Sequence, residues 1–144
     1  LEKIAETDSC VAYKDFAHSP SKVSATTQAV KNQYPDRKLI ACLELHTYSS
    51  LNPEFISQYK GALDAADTAV VFYSPHAVMI KGLQEIKQEQ IEEAFGRKDL
   101  TVFTNPADFK TYLYTQDFKE TSLLLMSSGN YGGLDFDTIK EYVK

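Results

Sequence analysis

The chain has 144 residues and 16.2 kDa, the size of one ordinary domain. Hydrophobic residues make up 43% and charged residues 24%, which excludes a disordered chain. Fifteen Lys+Arg against twenty Asp+Glu give a net charge of −5 and a pI near 5.2, the opposite of a nucleic-acid-coating protein. At this length about two-thirds of the unfolded surface is buried, so no disulfide or metal staple is required. Cys10 and Cys42 both sit in apolar runs and are expected as reduced core thiols. No apolar run approaches the roughly 18 residues of a membrane span, and no signal segment opens the chain. The chain begins Leu1-Glu2-Lys3 without an initiator Met, and is expected to be a piece of a longer protein.

In chain order, residues 1–6 and 10–16 read as two short strands. Thr7-Asp8-Ser9 links them so briefly that a hairpin is expected. Ser19-Pro20 opens a helix as cap and first turn, Val23, Val30 and Tyr34 form its apolar face, and Pro35 closes it. Residues 39–45 read as a buried strand. A helix over about 53–63 follows, with Phe55, Ile56, Tyr59 and Leu63 on one side. Residues 68–73 are β-branched and aromatic, and form the next buried strand. Residues 83–95 read as a helix and 100–103 as a strand. Asn105 and Pro106 start a helix running to about Tyr114. Residues 122–126 are the last strand, and 135–143 the closing helix.

Strands alternating with helices imply right-handed crossovers. The expected fold is an α/β, Rossmann-like three-layer sandwich. Its sheet of about six strands is mostly parallel, with an antiparallel edge strand and helices on both faces. Such sheets bind ligands outside the carboxyl ends of their strands, which points to loops 15–20, 44–52, 74–82, 104–105 and 127–134.

Asp15, Phe16 and His18 bring a carboxylate, a ring and an imidazole to a helix start. They suit ribose hydroxyls, a base and a phosphate. They equally suit a cap assembly with Phe16 turned into the core. Residues 44–50 offer one carboxylate, one imidazole and four hydroxyls, which suits a small polar ligand or a solvated loop. His76 reads as a surface residue, and the three histidines show no metal-ligand spacing. Ser127-Ser128-Gly129-Asn130-Tyr131-Gly132-Gly133 has the form of an anion nest, or of a tight structural turn. It is neither a Walker A loop nor G-x-G-x-x-G, and no complete catalytic set can be assigned by spacing.

Tyr13-Lys14-Asp15-Phe16-Ala17-His18-Ser19-Pro20 resembles the Asp-x-Ala-His-x-Pro signature opening the C-terminal domain of Mur ligases, the ATP-dependent amide ligases of peptidoglycan assembly. Residues 127–133 resemble the Ser-Asn-Gly-Gly-Phe-Gly-Gly loop of the murein peptide branch, which joins L-Ala-γ-D-Glu-meso-diaminopimelate to UDP-N-acetylmuramate. Where that branch has Glu-Pro-Arg-Ser-Asn-Thr, this chain has Glu44-Leu45-His46-Thr47-Tyr48-Ser49. His46, Tyr48 and Ser49 partly fit the alanine-adding branch's His-Arg-Tyr-Thr-Arg-Thr, without its arginines. The two loops therefore resemble different branches.

The resemblance implies that residues 1–144 form the amino-substrate domain of a larger three-domain, cytoplasmic enzyme. In that family the P-loop and most Mg²⁺ ligands lie in the central domain, so the isolated domain is expected to be inactive. ATP would meet Asp15, Phe16 and His18. The amino acid or peptide substrate would meet His46, Ser49, Ser127, Ser128, Gly129, Asn130 and Tyr131. A glutamyl ligase domain of the folate type and a non-catalytic Rossmann-like binding module are the other readings.

Overall fold

Six runs rich in Val, Ile, Leu, Ala and Cys pair into one sheet in the computed structural model, which describes residues 1–52, 54–83 and 86–143, at 48 and 49 by backbone alone. The strands are β1 (Glu2–Glu6), β2 (Cys10–Asp15), β3 (Lys38–Glu44), β4 (Thr68–Phe72), β5 (Thr101–Phe103) and β6 (Thr121–Met126). Their order is β1-β2-β6-β3-β4-β5. β1 runs antiparallel to β2 at one edge, and the other pairings are parallel. The expected hairpin is present: Thr7 N–H donates to Cys10 O at 2.8 Å.

Successive strand residues point to opposite faces. Leu39, Ala41 and Leu43 of β3 face the layer holding α1 (Pro20–Gln33), a 3₁₀ turn (Ile56–Tyr59), α3 (Pro75–Ile80) and α4 (Gln88–Phe95). Ile40 and Cys42 face α5 (Pro106–Tyr114) and a second 3₁₀ turn (Thr138–Glu141). A strand buried on both faces is apolar on both, which is why residues 39–43 of β3 and 123–126 of β6 lack alternation. Both cysteines are free and buried; burial pushes the Cys10 thiol up to about 11 and the Cys42 thiol higher still. No helix among the described residues is long and apolar enough to cross a membrane.

Several helices differ from expectation. The apolar side expected over 53–63 is buried, but only one 3₁₀ turn forms there; Pro53 lies outside the described residues. The Asn52 carbonyl and side chain take the N–H groups of Glu54, Phe55 and Ile56, and Gly61 turns the chain with φ +80°. The helix expected over 83–95 is confined to Gln88–Phe95, with Gln84 and Glu85 outside the described residues. Gly96 ends it in the left-handed conformation at φ +72°. Loop 74–82 contains α3, started by the same Ser-Pro pair as α1: Ser74 Oγ accepts from Ala77 N–H at 3.3 Å. A helical turn, α2 (Tyr48–Leu51), lies within loop 44–52. At the end of the chain Asp135 folds its carboxylate onto Asp137 N–H at 2.9 Å, a local turn in place of a helix cap. Only the 3₁₀ turn follows it, with Ile139 and Val143 buried.

Candidate functional site

Parallel pairing sets the carboxyl ends of five strands along one edge. Asp15 and Leu43 both register with Met126, Glu44 with Phe72, and Phe72 with Phe103. Because β6 lies between β2 and β3, loop 127–133 is flanked by the Asp15 and Glu44 ends.

Asp15 ends β2 and folds back on its own loop. Its Oδ1 accepts from Ala17 N–H at 2.8 Å. The turn directs Phe16 outward at 68% exposure, so Phe16 is not the core residue that a cap assembly would make of it. Ser19 occupies the cap position of α1 without a side-chain cap bond. His18 meets the Phe16 ring edge-on, with centroids 5.5 Å apart. Its Nδ1 donates to Phe16 O at 3.0 Å, since a carbonyl only accepts, and its own carbonyl accepts from the Tyr59 hydroxyl.

Ser127 ties the second loop to the first, its N–H donating to Asp15 O at 3.0 Å. The Ser127 hydroxyl donates to Glu44 Oε1 at 2.5 Å and accepts from Gly129 N–H at 2.7 Å. Tyr131 N–H donates to the same Glu44 oxygen at 2.9 Å. The anion held by this loop is thus the carboxylate of Glu44, itself only 3% exposed. That corrects in part the expectation that the loop's backbone donors wait for a ligand: the N–H groups of Ser127, Gly129, Tyr131 and Gly133 are taken up internally. Gly129 packs closely here: a Cβ would lie 3.1 Å from Glu44 Oε1 and 3.2 Å from His46 Nε2, so a side chain fits only if these neighbours shift by a few tenths of an ångström. Gly132, at φ +74°, has no room: a Cβ would meet Pro106 Cγ at 2.7 Å.

Tyr131 is also corrected. It is 1% exposed and stacks on Phe109 at 4.9 Å, so no ligand reaches its ring. Its hydroxyl lies 2.6 Å from Met126 O and 2.9 Å from Cys42 O, donating where β6 and β3 run side by side. Burial holds the phenol well above its ordinary pKa, so it stays a neutral donor. Asn130 is exposed and caps Gly133 N–H at 3.1 Å. The Ser128 hydroxyl is shut off from solvent and has no hydrogen-bond partner among the described residues.

His46 follows Glu44 by two residues. Its side chain is 47% exposed, and its Nδ1 lies 3.7 Å from Glu44 Oε2. Ser49 lies on α2, its side chain outside the described residues. His76 is exposed on α3 and lines none of the hollows at this edge.

A cavity of about 460 Å³ opens between the two loops, bounded by Asp15 and Phe16 on one side and by Ser127, Gly129 and Phe136 on the other. A smaller hollow of about 230 Å³ continues from Asp15 and Phe16 past His18 to Lys22. An outward ring beside a carboxylate fits a nucleoside: the ring suits stacking, and the carboxylate accepts from hydroxyls. No group of three His, Cys, Asp or Glu that would hold a metal occurs among the described residues. Glu44, which the sequence offered only as the carboxylate of loop 44–50, is the buried acid that ties this loop to loop 127–133. Its signal was an acid closing an otherwise apolar, doubly buried strand.

The fold and edge define a Rossmann-like α/β domain with a cavity at the carboxyl ends of a mostly parallel sheet. No family model matches the chain. Over 103 residues it is 33% identical to the UDP-N-acetylmuramate–L-alanine ligase of Lactobacillus delbrueckii subsp. bulgaricus, covering 71% of this chain and 23% of that protein. Over 122 residues it is 30% identical to the enzyme of the same name from Chlorobium phaeovibrioides, covering 83% and 24%. The chain spans about a quarter of the length of these relatives. Among solved structures, the murein peptide ligase of Psychrobacter arcticus superposes with a TM-score of 0.72 at 17% identity, covering 99% of this chain and 29% of that one. The UDP-N-acetylmuramate-alanine ligase of Thermotoga maritima gives 0.61 at 13%, covering 96% and 27%. The chain is a domain of the Mur ligase type, similar in sequence to the alanine ligases and sharing its fold with both solved enzymes.

Proposed function

We propose that this chain is the C-terminal, amino-substrate domain of a larger, cytoplasmic, ATP-dependent ligase of peptidoglycan synthesis or recycling. The enzyme joins the amine of L-Ala-γ-D-Glu-meso-diaminopimelate to the carboxylate of UDP-N-acetylmuramate through an acyl phosphate. The observation that carries this reading is the cavity of about 460 Å³ on which the Asp15–Phe16 loop and the Ser127–Gly129 loop meet.

Phe16 stacks on the adenine, Asp15 accepts from the ribose, and the free Nε2 of His18 lies toward the phosphates. The amine side is formed by His46, Ser49 and the exposed parts of loop 127–133. Neither loop contains an arginine, so recognition rests on His46, the amide of Asn130 and the Ser49 hydroxyl. Closure of this domain over ATP completes the site. The P-loop and the Mg²⁺ ligands come from elsewhere in the enzyme, and these residues alone turn over no ATP.

L-Alanine is the second reading of the amine. It is favoured by the names of the sequence relatives, 33% and 30% identical. The tripeptide is favoured by the resemblance of loop 127–133. A side-by-side assay of ADP release by the full-length protein, with UDP-N-acetylmuramate and each amine in turn, decides between them. The tripeptide is expected to give the higher kcat/KM. A higher value for L-alanine establishes the second reading, and ADP release that needs neither amine removes both.

A further inference from the structure

The large cavity has a charged corner that the reading above leaves unused. Glu2 on β1 and Lys14 on β2 both line it, and they sit opposite one another in the sheet register. Lys14 Nζ lies 2.9 Å from Glu2 Oε2. It also lies 5.1 Å from the centre of the Phe136 ring, which lines the same cavity. A ring face holds an ammonium in place by cation–π attraction. Both charged side chains stay wet, Lys14 at 42% exposure and Glu2 at 65%. An ion pair so exposed adds little stability and opens readily to a ligand. The corner therefore offers one cation and one anion side by side, the complement of a zwitterionic amino-acid head.

Strand order sets what can reach it. Gly129 lines the cavity on the side of His46. From β3, which leads into His46, the sheet order counts two spacings to β2 and three to β1. Neighbouring strands lie about 4.8 Å apart, so roughly 10–14 Å separates the His46 loop from the Lys14–Glu2 corner. Free L-alanine carries its amine and its carboxylate on one carbon and cannot touch both places. A tripeptide, at about 3.3–3.6 Å for each extended residue, can.

We propose that Lys14 and Glu2 form the subsite for the far end of the peptide substrate. Lys14 pairs with the carboxylate, and Glu2 with the ammonium, of the side-chain amino-acid head of meso-diaminopimelate. The proposal rests on the tripeptide reading above, with the reacting amine on the His46 side. It makes the corner a specificity device. A lysine at the third position of the peptide brings the ammonium to Glu2 but no carboxylate to Lys14. Diaminopimelate satisfies both charges, and the difference between the two peptides is the contact with Lys14.

The test uses the full-length ligase with UDP-N-acetylmuramate, Mg-ATP and two synthetic peptides, L-Ala-γ-D-Glu-meso-diaminopimelate and L-Ala-γ-D-Glu-L-Lys. The wild type is expected to favour the first in kcat/KM by about tenfold or more. Lys14→Met keeps the apolar stem without the charge, and should bring that ratio close to one. Lys14→Arg should preserve most of it. Glu2→Gln is expected to lower kcat/KM for both peptides together, by about threefold. Damage to the fold alone slows both peptides alike and leaves their ratio where it was. A wild-type ratio near one, an unchanged ratio in Lys14→Met, or a Glu2→Gln enzyme as fast as the wild type with both peptides would overturn the proposal. A wild-type enzyme that uses L-alanine and neither peptide would instead remove the tripeptide reading, and this proposal with it.

Discussion

Tyr131→Ala will destabilise the domain by about 3–5 kcal/mol, the range for truncating a buried aromatic. The ring fills the space between Phe72 and Phe109, with centroids at 5.9 and 4.9 Å. Those side chains come from β4 and α5, so the hole cannot close by a local shift. Tyr131→Phe keeps the ring but removes the donor shared by Cys42 O and Met126 O. It should cost about 1–3 kcal/mol, the penalty for a buried acceptor left short of a partner. Urea denaturation of both variants checks the pair. A loss below about 1 kcal/mol for the alanine variant would contradict a core role for this residue. The consequence for the site is indirect. Tyr131 holds the loop whose Ser127 and backbone fix Glu44, so even the phenylalanine variant should loosen the sheet edge.

The second large effect concerns the nucleotide. If Asp15 accepts from the ribose, Asp15→Ala in the full-length ligase removes a charge-assisted hydrogen bond of about 1.5–3 kcal/mol. The KM for ATP should rise about ten- to hundredfold, while that for the UDP-sugar stays put. Asp15 also orders its own turn through Ala17 N–H, so melting is measured alongside. An unchanged ATP KM contradicts the nucleotide assignment. Lower stability with an unchanged KM reduces Asp15 to that turn.

Much of this architecture can be read from local pattern. The middles of β3 and β6 are apolar because both faces are covered, and Ser-Pro and Asn-Pro pairs mark helix starts at 19–20 and 105–106. The segment around Ile56 was less legible, since one buried turn and a longer helix show the same apolar spacing. Asn52 starts this turn as a cap would, and Gly61, in the left-handed region at φ +80°, turns the chain away after it. The site divides in the same way. Asp15, Phe16 and His18 are close in sequence, and their turn brings them together. Tyr131 looks like a ligand-facing ring because its neighbours are small and polar. Its burial depends on Phe109, Cys42 and Met126, which no local window contains. Glu44 meets Ser127 across 83 residues, and only the placement of β6 beside β3 makes that contact.

The central claim is an acyl phosphate whose carboxylate oxygen passes to phosphate when the amine attacks. The direct measurement uses UDP-N-acetylmuramate labelled with ¹⁸O in its lactyl carboxylate, incubated with the full-length protein, ATP and the preferred amine. Mass spectrometry of the released inorganic phosphate should find one labelled oxygen for each amide formed. Unlabelled phosphate alongside amide product would contradict the account.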